Sequence, residues 1–244
     1  RNAQDGDRLL GAFNRPMPHW LDFFCYTMFV DRDGKFQLGM LSTSAFKPLA
    51  ASMGPMLKEE SFHLGTGSNG LRRVIKAGII PLDMLQRYIN KWVSTAHDLF
   101  GVDASSSAHW SYVWGVKGRW DERKKLEAGV EVDKEVLNEE ARGHYHTEIV
   151  GEVKKLSGYL PEGAAPLLVP HENFNRDIGA FKKVNCTLEG DVFEGTQEEY
   201  EAYLKTVLPT AQDEEDLKEF FKQDWVANKP MSARQIASGI GAKA

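Results

Sequence analysis

The stretch Pro48–Leu64 (PLAASMGPMLKEESFHL) decides how the rest of the chain is read. Pro48 suits the first turn of a helix, and from there Leu49, Met53, Met56, Glu60 and His63 step by 4, 3, 4 and 3 residues along one helical face. That face is apolar until its last two members, which are ionisable. Burying a carboxylate without a partner is strongly unfavourable, so Glu60 and His63 on a core face call for a counter-charge, and a cation is the simplest one.

Working outward, each neighbouring segment is also helical. A first helix is predicted from about Pro18 to Leu41, with Asp31-Arg32-Asp33-Gly34 as a possible break, and it repeats the spacing with Trp20, Phe24, Thr27 and Asp31. A turn at Ser42–Phe46 sets Asp31 and Glu60 at similar heights in an antiparallel pair, where they can face each other; an exposed turn at Asp31–Gly34 is the other reading. Gly54-Pro55 predicts a kink in the second helix. The third helix, Leu82–Phe100, has Met84, Tyr88 and Trp92 at intervals of four. A fourth, Ser105–Arg123, aligns Trp110, Trp114, Lys117 and Asp121. Asp121, or Glu122 beside it, is a third-helix carboxylate; alternatively both acids pair with Arg119, Arg123 or Lys124 at a polar helix end. A fifth helix, Lys134–Leu156, carries the stripe Leu137, Ala141, Tyr145, Ile149, Val153 and Leu156, flanked by a column of Glu140, His144, Glu148 and Glu152. Such a column can bring an imidazole and a carboxylate to one metal, and a Glu-rich border of an amphipathic helix looks the same.

A GxGxxG pattern occurs at Gly65–Gly70, yet no buried strand precedes it, so it is not read as a dinucleotide fingerprint but as a helix stop and flexible turn. Arg72, Arg73 and Lys76 just beyond could receive the phosphates of a ligand, or form a solvated surface. After Gly158 the chain turns to Pro- and Gly-containing loops. Val184–Phe193 reads as a short hairpin around Glu189-Gly190, Thr196 with Glu199 as a capping box for a helix through Leu204, and Asp213–Lys222 as an acidic helix. The tail from Asn228 reads as loosely ordered. The expected domains are a helical bundle over 1–158 and a loop-rich extension with short helices over 159–244.

Composition fits a folded protein: 244 residues, 42% hydrophobic and 27% charged. Lys+Arg 30 against Asp+Glu 35 leaves a net charge of −5, which argues against a nucleic-acid partner, since that needs a basic field. Two cysteines, Cys25 and Cys186, make no disulfide scaffold, so a reducing, cytoplasmic setting is expected, and the sequon at Asn185 reads as accidental. No apolar run approaches the ~20 residues a membrane span needs, so no membrane partner is expected. The chain opens on Arg1 with neither an initiator Met nor a basic leader, which reads as no signal peptide and a trimmed start.

Glu-x-x-His at i, i+3 is the ligand pair with which ferritin-like bundles hold two irons, although a single copy also arises by chance. Together with Lys58–His63, the blocks Phe29–Leu38 (FVDRDGKFQL), Ala77–Asn90 (AGIIPLDMLQRYIN), Asp98–Gly101 and Gly115–Glu122 (GVKGRWDE) resemble the di-iron component of benzoyl-CoA epoxidases, also called benzoyl-CoA oxygenase component B. The resemblance runs from about residue 17 to about 185. It implies an all-α, ferritin-like helical bundle with a short, loop-rich C-terminal extension. It further implies two non-haem iron ions, O2 as co-substrate, electrons from a separate NAD(P)H-dependent reductase, and epoxidation of an aromatic acyl-CoA. The expected catalytic pair is Glu60 and His63, and the expected metal ligands are Asp31, Glu60, His63, Asp121, His144 and Glu148. This chain departs from the pattern in being shorter, in a shorter loop between Arg123 and Asn138, and in a fifth helix without an obvious second Glu-x-x-His. Those departures keep open a second reading, a non-catalytic metal-binding or scaffold subunit of an oxygenase complex.

Overall fold

A computed structural model describes residues 15–131, 133, 135–172, 185, 187–188 and 191–222. Among the described residues the regular elements are helices: α1 Trp20–Cys25, a π-helical segment Tyr26–Val30, α2 Asp31–Leu41, α3 Lys47–Ala77, α4 Leu82–Phe100, α5 Ser106–Val113, α6 Glu122–Glu127, α7 Asn138–Ser157, α8 Gln197–Val207 and α9 Ala211–Lys222. The chain is all-α, as its periodicity predicts. No described helix is long and apolar enough to cross a membrane.

The first helix is unbroken from Trp20 to Leu41, so Asp31–Gly34 is not a turn. Its irregularity lies earlier, where the Thr27 hydroxyl donates to the Phe23 carbonyl at 3.0 Å and the Asp31 N–H reaches back to the Tyr26 carbonyl, an i→i+5 bond. Opposite this π segment runs α3. A Cβ on Gly67 would stand 2.4 Å from the Met28 nitrogen, and one on Gly70 2.2 Å from Phe24, so these glycines let the two backbones meet. The GxGxxG run therefore continues α3 instead of ending it, a correction to the expected stop. The stop comes at Gly78, whose φ of 66° is the left-handed C-cap conformation.

The predicted fourth helix is also corrected. Only Ser106–Val113 is helical before a loop that wraps the end of α2, where the Gly115 carbonyl accepts from the Ala45 N–H at 2.8 Å and the Gly118 N–H donates to the Met40 carbonyl at 3.2 Å. Gly115 and Gly118 are poor helix formers, and this docking satisfies the backbone groups that a helix would have paired. Asp121 consequently sits at the N-cap of α6, and Trp110 and Trp114, 49% and 71% exposed, line no interior.

α4 is the central helix, with Met84, Tyr88 and Trp92 buried, and the α7 stripe from Leu137 to Leu156 is buried against the same core. Asp103 caps α7 by accepting from the Asn138 and Glu139 N–H groups at 2.8 and 3.0 Å. The Thr196–Glu199 capping box forms as expected. Thr187 N–H to Asp191 carbonyl and Phe193 N–H to Asn185 carbonyl, both 2.8 Å, are the pairing of the expected hairpin, whose tip at Glu189-Gly190 lies outside the described residues, as do Cys186 and the tail from Asn228.

Candidate metal centre

Three of the singled-out residues meet where α2 crosses α3. Asp31 lies in the first turn of α2, and Glu60 and His63 are one turn apart on α3. His63 Nδ1 is 3.5 Å from Asp31 Oδ2 and 3.6 Å from Glu60 Oε2, and one ligand atom from each residue lies within 4.8 Å of the others. The carboxylates turn inward, with 17% and 19% of the side chains of Asp31 and Glu60 exposed, while His63 stands at the rim, 53% exposed. Gly34 gives Glu60 its room, since a Cβ there would press to 3.3 Å from Glu60 Oε1.

The electrostatics are those of negative charge short of a counter-ion. Burial pushes the Asp31 carboxyl up to about 6, the Glu60 charge pushes the same way, and His63 opposes both. Glu60 is likewise raised, mainly by burial, with His63 opposing. Glu60 Oε2 is buried and accepts no hydrogen bond. Two carboxylates, an imidazole with a free approach and an orphaned carboxylate oxygen make a donor set suited to a divalent first-row cation.

Asp121 and His144 lie in a second group, with Glu140. Its charge is already balanced by cationic side chains. Arg119 grips Asp121 through both oxygens at 2.8 and 3.0 Å, Lys125 reaches Asp121 at 3.0 Å, and Arg119 also meets Glu140 at 2.8 Å. His144 Nε2 contacts Glu140 at 3.1 Å, and its ring rests edge-on against Trp120. The Arg119 hydrogen bonds hold Asp121 down at about 2, and burial opposes them. Glu148 is bound by Arg32 and by Lys35, at 2.7 Å; burial would raise it, but these hydrogen bonds and charges together hold it below its ordinary value. Among the described residues, no group of metal-ligand type joins these three to Asp31, Glu60 and His63. Arg72, Arg73 and Lys76 are exposed farther along α3, with the Lys76 ammonium 4.8 Å over the Tyr159 ring.

Sequence reasoning passed over Gly34, which makes room for the Glu60 carboxyl, and Tyr26. The Tyr26 phenol is raised by burial and by the charges of Asp31, Glu60 and Asp33, which places it beside the carboxylates. A glycine inside an otherwise helical ligand-bearing run was the available signal for Gly34.

The family described as "Phenylacetic acid catabolic protein" matches residues 3–168 of the chain. A curated relative, "Benzoyl-CoA oxygenase component B" of Aromatoleum evansii, is 34% identical over 251 aligned residues, covering 86% of this chain and 53% of that protein. The chain thus spans about half the length of the relative it matches.

Proposed function

Because the chain belongs to the phenylacetic acid catabolic protein family, a ferritin-like family, we propose that it acts within the oxygenase component of an O2-dependent di-iron monooxygenase that epoxidises an aromatic, benzoyl-CoA-like acyl thioester. The observation that carries this reading is Glu60 Oε2, buried without a hydrogen bond and facing Asp31 and His63. Bound there, iron would supply the reduction and activation of O2, using electrons from a separate NAD(P)H-dependent reductase.

The residues have distinct tasks. Asp31 and Glu60 neutralise the ion, and His63 offers a neutral imidazole nitrogen from the solvent side. Gly34 keeps the Glu60 carboxyl seated. Asp121, His144 and Glu148 are the candidates for a second ion. Taking it up requires Arg119 and Lys125 to release Asp121, and Arg32 and Lys35 to release Glu148, an exchange of one cation for others. Arg72, Arg73 and Lys76 are the proposed receivers of the CoA phosphates.

The scaffold reading draws on the same ion pairs, since acids already neutralised have less need of metal. Elemental analysis with Mössbauer spectroscopy separates the two. About two irons per chain, lost in Glu60→Ala, together with epoxide formation from benzoyl-CoA in the presence of a reductase, is the expected result. A folded chain that takes up no iron would establish the scaffold.

A further inference from the structure

On the side of the π segment away from α3, a buried polar group sits among aromatic rings. Trp92 and Asp22 are both fully buried, and the Trp92 indole Nε1–H donates to Asp22 Oδ1 at 3.0 Å. Lys91 donates to the same oxygen at 2.7 Å, with its ammonium 4.8 Å from the centre of the Trp92 ring. Asp22 Oδ2 faces His19 Nε2 at 3.2 Å. On its other side Trp92 meets Tyr26 edge-to-face, ring centres 5.3 Å apart, and Tyr26 is tied through its carbonyl to the Asp31 N–H. An unbroken path of aromatic and backbone contacts therefore leads from the Asp31–Glu60–His63 trio to a tryptophan whose N–H rests on a carboxylate.

We propose that Trp92 is a one-electron redox residue that supplies an electron, through Tyr26, to an oxidant formed at the metal centre when no substrate ring is there to take the oxygen, with Asp22 accepting the indole proton. The link to the metal rests on the function proposed above. In the step, Trp92 loses one electron to the oxidant, the Nε1–H bond breaks, and the proton passes to Asp22. What remains is a neutral indolyl radical. One electron from the reductase-class donor and the same proton returned by Asp22 restore the indole. Lys91 favours the proton's departure to Asp22, because an ammonium over the ring disfavours a second positive charge on it.

The test uses the full chain, first without metal, with tris(bipyridine)ruthenium(III) generated by a flash as the oxidant. In a chain whose other tryptophans are replaced (W20F, W110F, W114F, W120F and W225F), electron paramagnetic resonance and transient absorption should report a neutral tryptophan radical. Asp22→Asn should convert it to the protonated radical cation, and adding Trp92→Phe should abolish it. A folded single-tryptophan chain that gives no radical, or a neutral radical unchanged in Asp22→Asn, would overturn the proposal. Should the fivefold background not fold, the wild type and Trp92→Phe grown with indole-deuterated tryptophan decide the question by whether a deuterium-sensitive signal disappears. Iron-loaded, reduced samples frozen after exposure to O2 should show the same radical. Iron uptake is measured in parallel, so a chain with the radical but no iron refutes the metal reading alone, and one with iron but no radical refutes the role of Trp92.

Discussion

Asp31 carries the clearest pH signature of the site. Its folded carboxyl is raised to about 6 from an ordinary 3.8, so without metal the protonated form is favoured by folding. The stabilisation is fully present below about 4 and is lost as pH rises through about 6. Asp33, raised to about 7 by burial against the opposing Gln37 hydrogen bond, adds the same sign of dependence over a slightly higher window. Metal-free protein should therefore lose thermal stability between about pH 4 and 7, while added Fe(II) should stabilise it increasingly above pH 6, where protons no longer compete for the carboxylates. Calorimetry of the metal-free chain and of Asp31→Asn checks this. The variant should flatten the lower part of the curve, and parallel curves would show that Asp31 has no such shift. At this scale the sequence revealed Glu60 and His63, because i, i+3 spacing is a local property of one helix. It could not choose between a turn and a ligand for Asp31. For Asp121 it offered Arg119 as a local partner beside the ligand reading, and that pair forms, joined by Lys125 one turn on. The contacts of Arg32 and Lys35 with Glu148, on a distant helix, are made by folding, and no spacing encodes them.

The helix α3 shows where periodicity misleads. A run with three glycines out of six, read locally, is a poor helix, since each interior glycine costs up to about 1 kcal/mol relative to alanine; here Gly65, Gly67 and Gly70 all lie inside α3. Tertiary contact overrides the propensity at two of them. A Cβ on Gly67 would lie 2.4 Å from a backbone nitrogen that cannot move without shifting the π segment, whereas Gly65 has nothing within 4 Å. Gly65→Ala should accordingly stabilise the protein by about 0.4–1 kcal/mol. Gly67→Ala should destabilise it by roughly 1–3 kcal/mol and weaken metal binding, because it pushes the π segment that leads into Asp31 away from α3. Denaturant titrations of the two variants measure both, and equal effects would mean that the glycines serve the chain's flexibility and not the approach of the helices. The opposite error arose at α5, where a 4, 3, 4 spacing of Trp110, Trp114, Lys117 and Asp121 imitated a helical face across what is a loop.

For the molecule as a whole, the arrangement of α4 ties the C-terminal segment to the bundle. Asn90 donates to the Val207 carbonyl at 2.8 Å, Arg87 meets Asp213 at 2.6 Å, and Gln86 exchanges hydrogen bonds with Leu168 at 2.9 and 2.7 Å. Leu167 and Leu217 are buried in the same core as Tyr88 and Trp92. A boundary near residue 158 was suggested by the change to Pro- and Gly-containing loops, a signal of local chain conformation that is silent on what those loops pack against. A chain ending at Gly158 would leave Asn90 and Arg87 without these partners and would strip two buried leucines from the core, each worth about 1.5–3 kcal/mol on full burial. Its melting temperature should fall by on the order of 10 °C. Circular dichroism melts of the 1–158 and full-length chains, both metal-free, make the comparison. An unchanged melting temperature would establish residues 1–158 as an independent bundle, and the expected drop would make the C-terminal helices part of the structure that keeps Trp92 and Asp22 dry.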